Sequence, residues 1–209
     1  MNVYEIIPLF SVPVFAGNIS IDCQIILDTI IDLNYRKYSN SGYCSENQNI
    51  LDLRELSFLK KEIDKLFNIY LHEVLMYQKT SDFNFLMETS WVNLHKPKDF
   101  APSHCHKNSM YSFVFYVDVG DEENSGDIVF TSNVKSTYSN GAFDIPISSY
   151  NVYNSLEWRV KPKNNMILIF PSHLDHCVTE NQSRKDRYSI AGNYFCRGLF
   201  KHLTLNLRL

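Results

Sequence analysis

Two stretches decide how this chain of 209 residues is to be read: Ala101-Pro102-Ser103-His104-Cys105-His106, and Pro171-Ser172-His173-Leu174-Asp175-His176-Cys177, which runs on to Arg187-Tyr188-Ser189. Side chains on a strand alternate between two faces, so histidines at i and i+2 project together. His104 and His106 can therefore point into one cavity. His176, about 70 residues on, and the Arg187 and Ser189 that share a parity beyond it, could close the other side of that cavity. Imidazoles converging on one point suit a small metal centre with open coordination positions.

Working outward, the period of the sequence explains why strands are expected there. From Phe83 onward β-branched and aromatic residues dominate and alternate with a period of two. Strands are expected at 84–95, 102–106, 110–119, 126–131, 157–161, 166–170, 175–179 and 186–196, with a further one at 199–207. Before them, Leu56, Leu59, Ile63, Leu66, Phe67, Tyr70, Val74 and Tyr77 recur at three and four, which predicts a helix with one apolar face. A shorter helix is expected from an N-cap at Ser20 to about Arg36. Residues 3–15, with Pro8 and Pro13 and ending at Gly17-Asn18, read as an edge strand entering a turn. The Ser-, Asn- and Gly-rich stretch 39–49 and the polar stretch 132–156 read as loops that flank a barrel mouth and order on substrate binding.

Helices followed by many strands describe a mostly β fold, a jelly roll with two N-terminal α-helices packed outside it. One domain over 1–209 is expected, with 1–80 as the supporting strand and helices and 81–209 as the β core. The net charge of −3, with no basic block, argues against a grip on nucleic-acid phosphates as the main activity. No apolar run reaches the roughly 20 residues of a membrane helix. The start lacks a basic segment and does not read as a secretory signal, and five irregularly spaced cysteines fit reduced thiols in a cytoplasm. A homodimer is compatible with the sequence.

The order His-x-His, distal His, Arg-x-Ser resembles the double-stranded β-helix oxygenases that bind Fe(II) and 2-oxoglutarate. The segments IIPLFSVPVF (6–15), SWVNLHK (90–96), HCHKNSMYSFVFYV (104–117), GDIVF (126–130), ILIFPSHLDHCV (167–178) and RYSIAGN (187–193) fall in the order seen in one family of such oxygenases from bacteria and their phages. The resemblance spans nearly the whole chain. It implies a double-stranded β-helix fold, and His104, His106 and His176 as ligands of Fe(II). The usual triad of such enzymes carries a carboxylate where His106 stands. Asp118 or Asp127 is the alternative third ligand, and His173 competes with His176 for the distal role.

The same resemblance implies that Arg187 and Ser189 bind the far carboxylate of 2-oxoglutarate. An arginine suits that task because its planar fork pairs with a carboxylate through two charge-assisted hydrogen bonds. Asn193 matches an asparagine of the family's run, and Asn93, if buried beside Trp91, needs a partner such as the co-substrate. Two departures stand out: Phe113 after Ser112, and Asn165, both where the family has glycine. His72, His95 and His202 read as surface or packed residues.

The activity implied is that of a hydroxylase of unknown substrate, a small molecule or a protein side chain. Decarboxylation of 2-oxoglutarate would be coupled, with O2, to oxidation of a C–H bond. A cupin-like three-histidine dioxygenase without 2-oxoglutarate, or a non-catalytic jelly-roll binding protein, are the alternatives.

Overall fold

A computed structural model describes residues 5–6, 11–38, 41–132, 146–201 and 206–209. The strands are β1 (Phe15–Asn18), β2 (Tyr35–Tyr38), β3 (Ser41–Ser45), β4 (Phe83–His95), β5 (Ala101–His104), β6 (Tyr111–Asp118), β7 (Ile128–Thr131), β8 (Glu157–Val160), β9 (Met166–Pro171), β10 (His176–Val178), β11 (Arg187–Lys201) and β12 (Asn206–Arg208). The helices are α1 (Cys23–Ile30) and α2 (Ser57–Ile69). The strands form two sheets. A major sheet runs β1-β9-β6-β11-β4-β3-β2 with β12 beside β11, and a minor sheet runs β5-β10-β7-β8. Together they make the double-stranded β-helix.

The major sheet is buried on both faces, as the apolar run of β6 dictates. Phe113, Phe115 and Val117 join Ile190 of β11 and Ile167 and Ile169 of β9 in a core with Ile26, Ile30, Leu59, Ile63 and Phe67 of the helices. The alternate residues Val114, Tyr116, Leu168 and Phe170 face the barrel interior with Ile128 and Phe130 of the minor sheet. The layers are thus helices, major sheet, minor sheet. On β11 the helix-facing residues are Tyr188, Ile190 and Tyr194, which leaves Arg187, Ser189, Ala191 and Asn193 on the barrel side.

Several boundaries differ from those expected. Helix α1 starts after Asp22, whose side chain accepts from Gln24 N at 3.0 Å, and it ends at Ile30 instead of Arg36. Tyr35–Tyr38 turns back as β2, with the Tyr35 hydroxyl donating to Ile30 O at 2.6 Å. The stretch read as a loop at 39–49 contains β3, paired to β4 at Tyr43↔Leu94 and Cys44↔Asn93. Gly42 permits this approach, since a Cβ there would stand 2.8 Å from Leu94 O.

Helix α2 stops at Ile69 and passes through a π-helical turn, Tyr70–Val74, so Val74 lies exposed and Tyr77 beyond the helix. The two strands expected at 186–196 and 199–207 include one continuous β11, and β1 lies at the end of the segment expected to be strand from residue 3. Asn165 has φ +69°, a left-handed conformation that asparagine tolerates better than other residues with a Cβ. Most of the 132–156 loop, residues 133–145, and His202 lie outside the described residues.

Candidate metal centre

Strand pairing brings the first two histidines together. β5 and β10 are antiparallel, with His104 directly opposite His176. His106 arrives differently from the strand alternation expected of 102–106. β5 ends at His104, and His106 sits two residues past it, where its backbone N–H donates to Ser172 O at 2.8 Å. The three ring centroids are 5.4, 4.4 and 5.2 Å apart, and one ligand atom from each ring lies within 4.8 Å of the others. Among the described residues this group holds no carboxylate. Asp118 instead accepts from Gly120 N at 2.8 Å, and His173 is exposed outside the trio.

The ring hydrogen bonds show which nitrogen faces a metal. Nδ1 lies 2.8 Å from Pro102 O in His104, 2.9 Å from Leu174 O in His176 and 2.7 Å from Asn193 Oδ1 in His106. Carbonyl oxygens only accept, so each Nδ1 carries a proton and Nε2 is the nitrogen left to face a metal. Burial lowers the pKa of His106 and brings that of His176 to about 3, so both rings are neutral, the form that ligates a cation. This donor set fits Fe(II).

Asn193 and Asn93 are placed by the hydrogen bonds they make. Asn193 Oδ1 takes the His106 Nδ1–H and a 2.8 Å bond from Ser112 Oγ, while its Nδ2 donates to Thr89 Oγ1 at 3.3 Å. Ser112 Oγ continues to Ser172 Oγ at 2.8 Å and on to Ser109 Oγ at 2.6 Å. A buried hydroxyl chain therefore backs the ring that stands where a carboxylate is usual. Asn93 Oδ1 accepts from Trp91 Nε1 at 3.0 Å, and the Trp91 ring centroid lies 5.7 Å from that of His106.

Arg187 is 2% exposed and begins β11 on the barrel side. Its Nη1 donates to Ser125 O at 3.1 Å and Gly126 O at 2.9 Å, its Nη2 approaches His95 Nδ1 at 3.4 Å, and its plane lies 5.7 Å from the Tyr116 ring. Nε has no partner. No ion pair joins Arg187 to a carboxylate among the described residues. The Asp127 charge reaches the guanidinium only from a distance, so a buried cation is left without a directly paired carboxylate, which is costly, and the far carboxylate of 2-oxoglutarate would pair with it. Ser189, 1% exposed, lies in register between Asn93 and Tyr116.

His95, read as a packed or surface residue, is packed: it is 6% exposed, opposite Arg187 in the β4–β11 ladder, with its pKa held at about 3 by burial and then by the guanidinium charge. Its parity with Trp91 and Asn93 on β4 was the available signal for this placement. Ser112, Ser125 and Ser172 were missed, and no spacing pointed to them.

The fold and the three-imidazole centre define a mononuclear non-haem metal enzyme of the double-stranded β-helix class. Residues 89–193, half of the chain, match the family described as "Putative 2OG-Fe(II) oxygenase", and the chain belongs to that family. It is an Fe(II)- and 2-oxoglutarate-dependent oxygenase. A search of curated proteins found no match. Similar solved structures include a Pseudomonas putida prolyl-4-hydroxylase (13% identity, 91% of this chain and 96% of that one, TM-score 0.58). Another is a Trichoplax adhaerens prolyl hydroxylase in complex with a hypoxia inducible factor peptide fragment (12%, 87% and 83%, 0.61). A third is HygX from Streptomyces hygroscopicus with nickel and 2-oxoglutarate bound (8%, 88% and 82%, 0.59).

Proposed function

We propose that the protein is a hydroxylase in which His104, His106 and His176 hold Fe(II), and Arg187 and Ser189 take the far carboxylate of 2-oxoglutarate. The observation that carries this reading is the buried guanidinium with its open Nε, on the same barrel wall as the histidine cluster's anchor Asn193. Bound iron, 2-oxoglutarate and O2 together supply insertion of one oxygen atom into a substrate C–H bond, with release of succinate and CO2. The chain's own part is positional. Three Nδ1–H bonds fix the ligand rings, and Arg187 orients the co-substrate. Trp91 and the interior side chains of β6 and β9 keep water from the reacting atoms.

The substrate side is the open end of the minor sheet. Trp158, Phe130, His176 and His104 stand opposite one another on successive strands, all facing the interior. Phe130 is 5% exposed but Trp158 is 49% exposed, so an indole overhangs the mouth about 10 Å from His176, taking about 4.8 Å per strand. A substrate presenting an apolar or ring surface, whether a small molecule or a protein side chain, fits that approach. Two of the similar structures are prolyl hydroxylases, one of them in complex with a peptide fragment. Five unpaired cysteines support a cytoplasmic setting.

The test is a titration of the Mn(II)-loaded protein with 2-oxoglutarate. Arg187→Lys keeps the charge but loses the fork, and a hydrogen bond to a charged group contributes about 1.5–3 kcal/mol. Affinity should fall roughly 10- to 150-fold. Equal affinity in wild type and variant, or no binding by wild type, would reject the co-substrate assignment.

A further inference from the structure

Among the described residues two buried side-chain polar atoms have no hydrogen-bond partner, Ser125 Oγ and Arg187 Nε. They belong to residues in contact, since Arg187 Nη1 donates to Ser125 O at 3.1 Å. Protein interiors pair nearly all buried polar atoms, so two orphans on touching residues mark one place that awaits a polar ligand. The guanidinium shows which ligand. Nη1 donates to both Ser125 O and Gly126 O, and Nη2 lies 3.4 Å from His95 Nδ1. Nε–H is left open, and it lies on the Nε/Nη2 edge that a carboxylate takes through two bonds.

The turn around Ser125 is built for this arrangement. Gly126 has φ +88°, and a Cβ there would run into the backbone oxygen of Thr179, so only glycine lets the 125–126 carbonyls face Arg187. On the other flank His95 is packed against Gly42, where a Cβ would stand 3.0 Å from the imidazole Cδ2. A neutral imidazole in that position can accept from the guanidinium without adding a second cation.

We propose that Ser125 is a further co-substrate-binding residue, its hydroxyl donating to the far carboxylate of 2-oxoglutarate, and that His95 is a positioning residue that orients the Arg187 fork. This rests on the reading that the far carboxylate lies at Arg187. Ser125 leads into β7 of the minor sheet while Arg187 belongs to β11 of the major sheet. The carboxylate is then gripped between the two sheets, which selects a dicarboxylic 2-oxo acid over a 2-oxo monoacid of the pyruvate type.

The experiment measures 2-oxoglutarate and pyruvate affinity of the Mn(II)-loaded full chain, with the melting temperature of the ligand-free protein. Ser125→Ala should weaken 2-oxoglutarate roughly 10-fold, leave Mn(II) and pyruvate binding unchanged, and leave the ligand-free melting temperature unchanged or raised, because the hydroxyl has no partner to lose. His95→Leu should weaken 2-oxoglutarate in the same assay, and His95→Gln, which still offers an acceptor, should restore part of it. If Ser125→Ala binds 2-oxoglutarate like wild type while Arg187→Lys does not, the role of Ser125 is wrong and the Arg187 reading stands. If Arg187→Lys also binds like wild type, the underlying reading fails. A Ser125→Ala protein with a clearly lowered ligand-free melting temperature would show a structural hydroxyl and overturn the proposal. Ser125→Cys, similar in size with a weaker donor, should melt like wild type and bind with intermediate affinity.

Discussion

The residue that sets this site apart is His106. Three neutral imidazoles give the metal no balancing negative charge, whereas a carboxylate at that position would give one. The charge has to come from the co-substrate. Metal and 2-oxoglutarate should therefore bind with strong positive linkage, each raising the affinity of the other by the same factor. Calorimetric titration of Mn(II) with and without saturating 2-oxoglutarate should show at least about a 10-fold gain, which corresponds to about 1.4 kcal/mol of coupling. His106→Ala should lose stoichiometric Mn(II) binding under both conditions, and full occupancy in that variant would return the third-ligand role to a carboxylate.

At the scale of elements, β3 matters because it covers the ring edge of His95 on β4. The folded state holds that histidine's pKa at about 3, against about 6.5 in an unfolded chain. Between those values the unfolded state binds a proton that the folded state does not. Stability is full above about pH 6.5 and falls as pH drops toward 3, by up to about 1.4 kcal/mol per pH unit for this one group. Denaturant unfolding of wild type and His95→Gln at pH 7, 6 and 5 should show a shallower decline in the variant. The same element shows where sequence reading reached its limit. The β strands of the core were legible, because runs such as 111–118 are apolar on both faces and only a strand between two layers buries both. β3 was not, because Ser41-Gly42-Tyr43 carries turn-forming residues whose strand conformation comes from pairing with β4. The clustering of His104, His106 and His176 was legible, although His106 joins the other two through a turn past the end of β5 and not through strand parity. The hydroxyls at Ser112, Ser125 and Ser172 were illegible, since nothing distinguishes a serine beside a guanidinium or an imidazole until the chain has folded.

Across the whole molecule, the two tryptophans of the chain come from opposite sheets and both flank the metal site. Trp91 lies against His106, and Trp158 stands two strands from His176. Intrinsic fluorescence should therefore report site occupancy directly. Binding of Co(II), which quenches nearby indoles, should dim the emission, and Trp91→Phe should remove most of that response while leaving Co(II) affinity within about 3-fold, a shift of under about 1 kcal/mol. Undiminished quenching in Trp91→Phe would place the metal elsewhere.

The β4–β11 ladder also bears on how the protein comes into being. It joins Phe83 to Gly198 and His95 to Arg187, and β11 lies between β4 and β6 in the sheet. On a ribosome, β4 and β6 emerge long before the strand that must slot between them, and until it does each offers an open edge to neighbouring chains. Closing so distant a pairing is slow. The nascent protein therefore passes through an interval in which all three histidines exist but Asn193 does not, so the His106 ring gains its Oδ1 acceptor only once this late strand is in place.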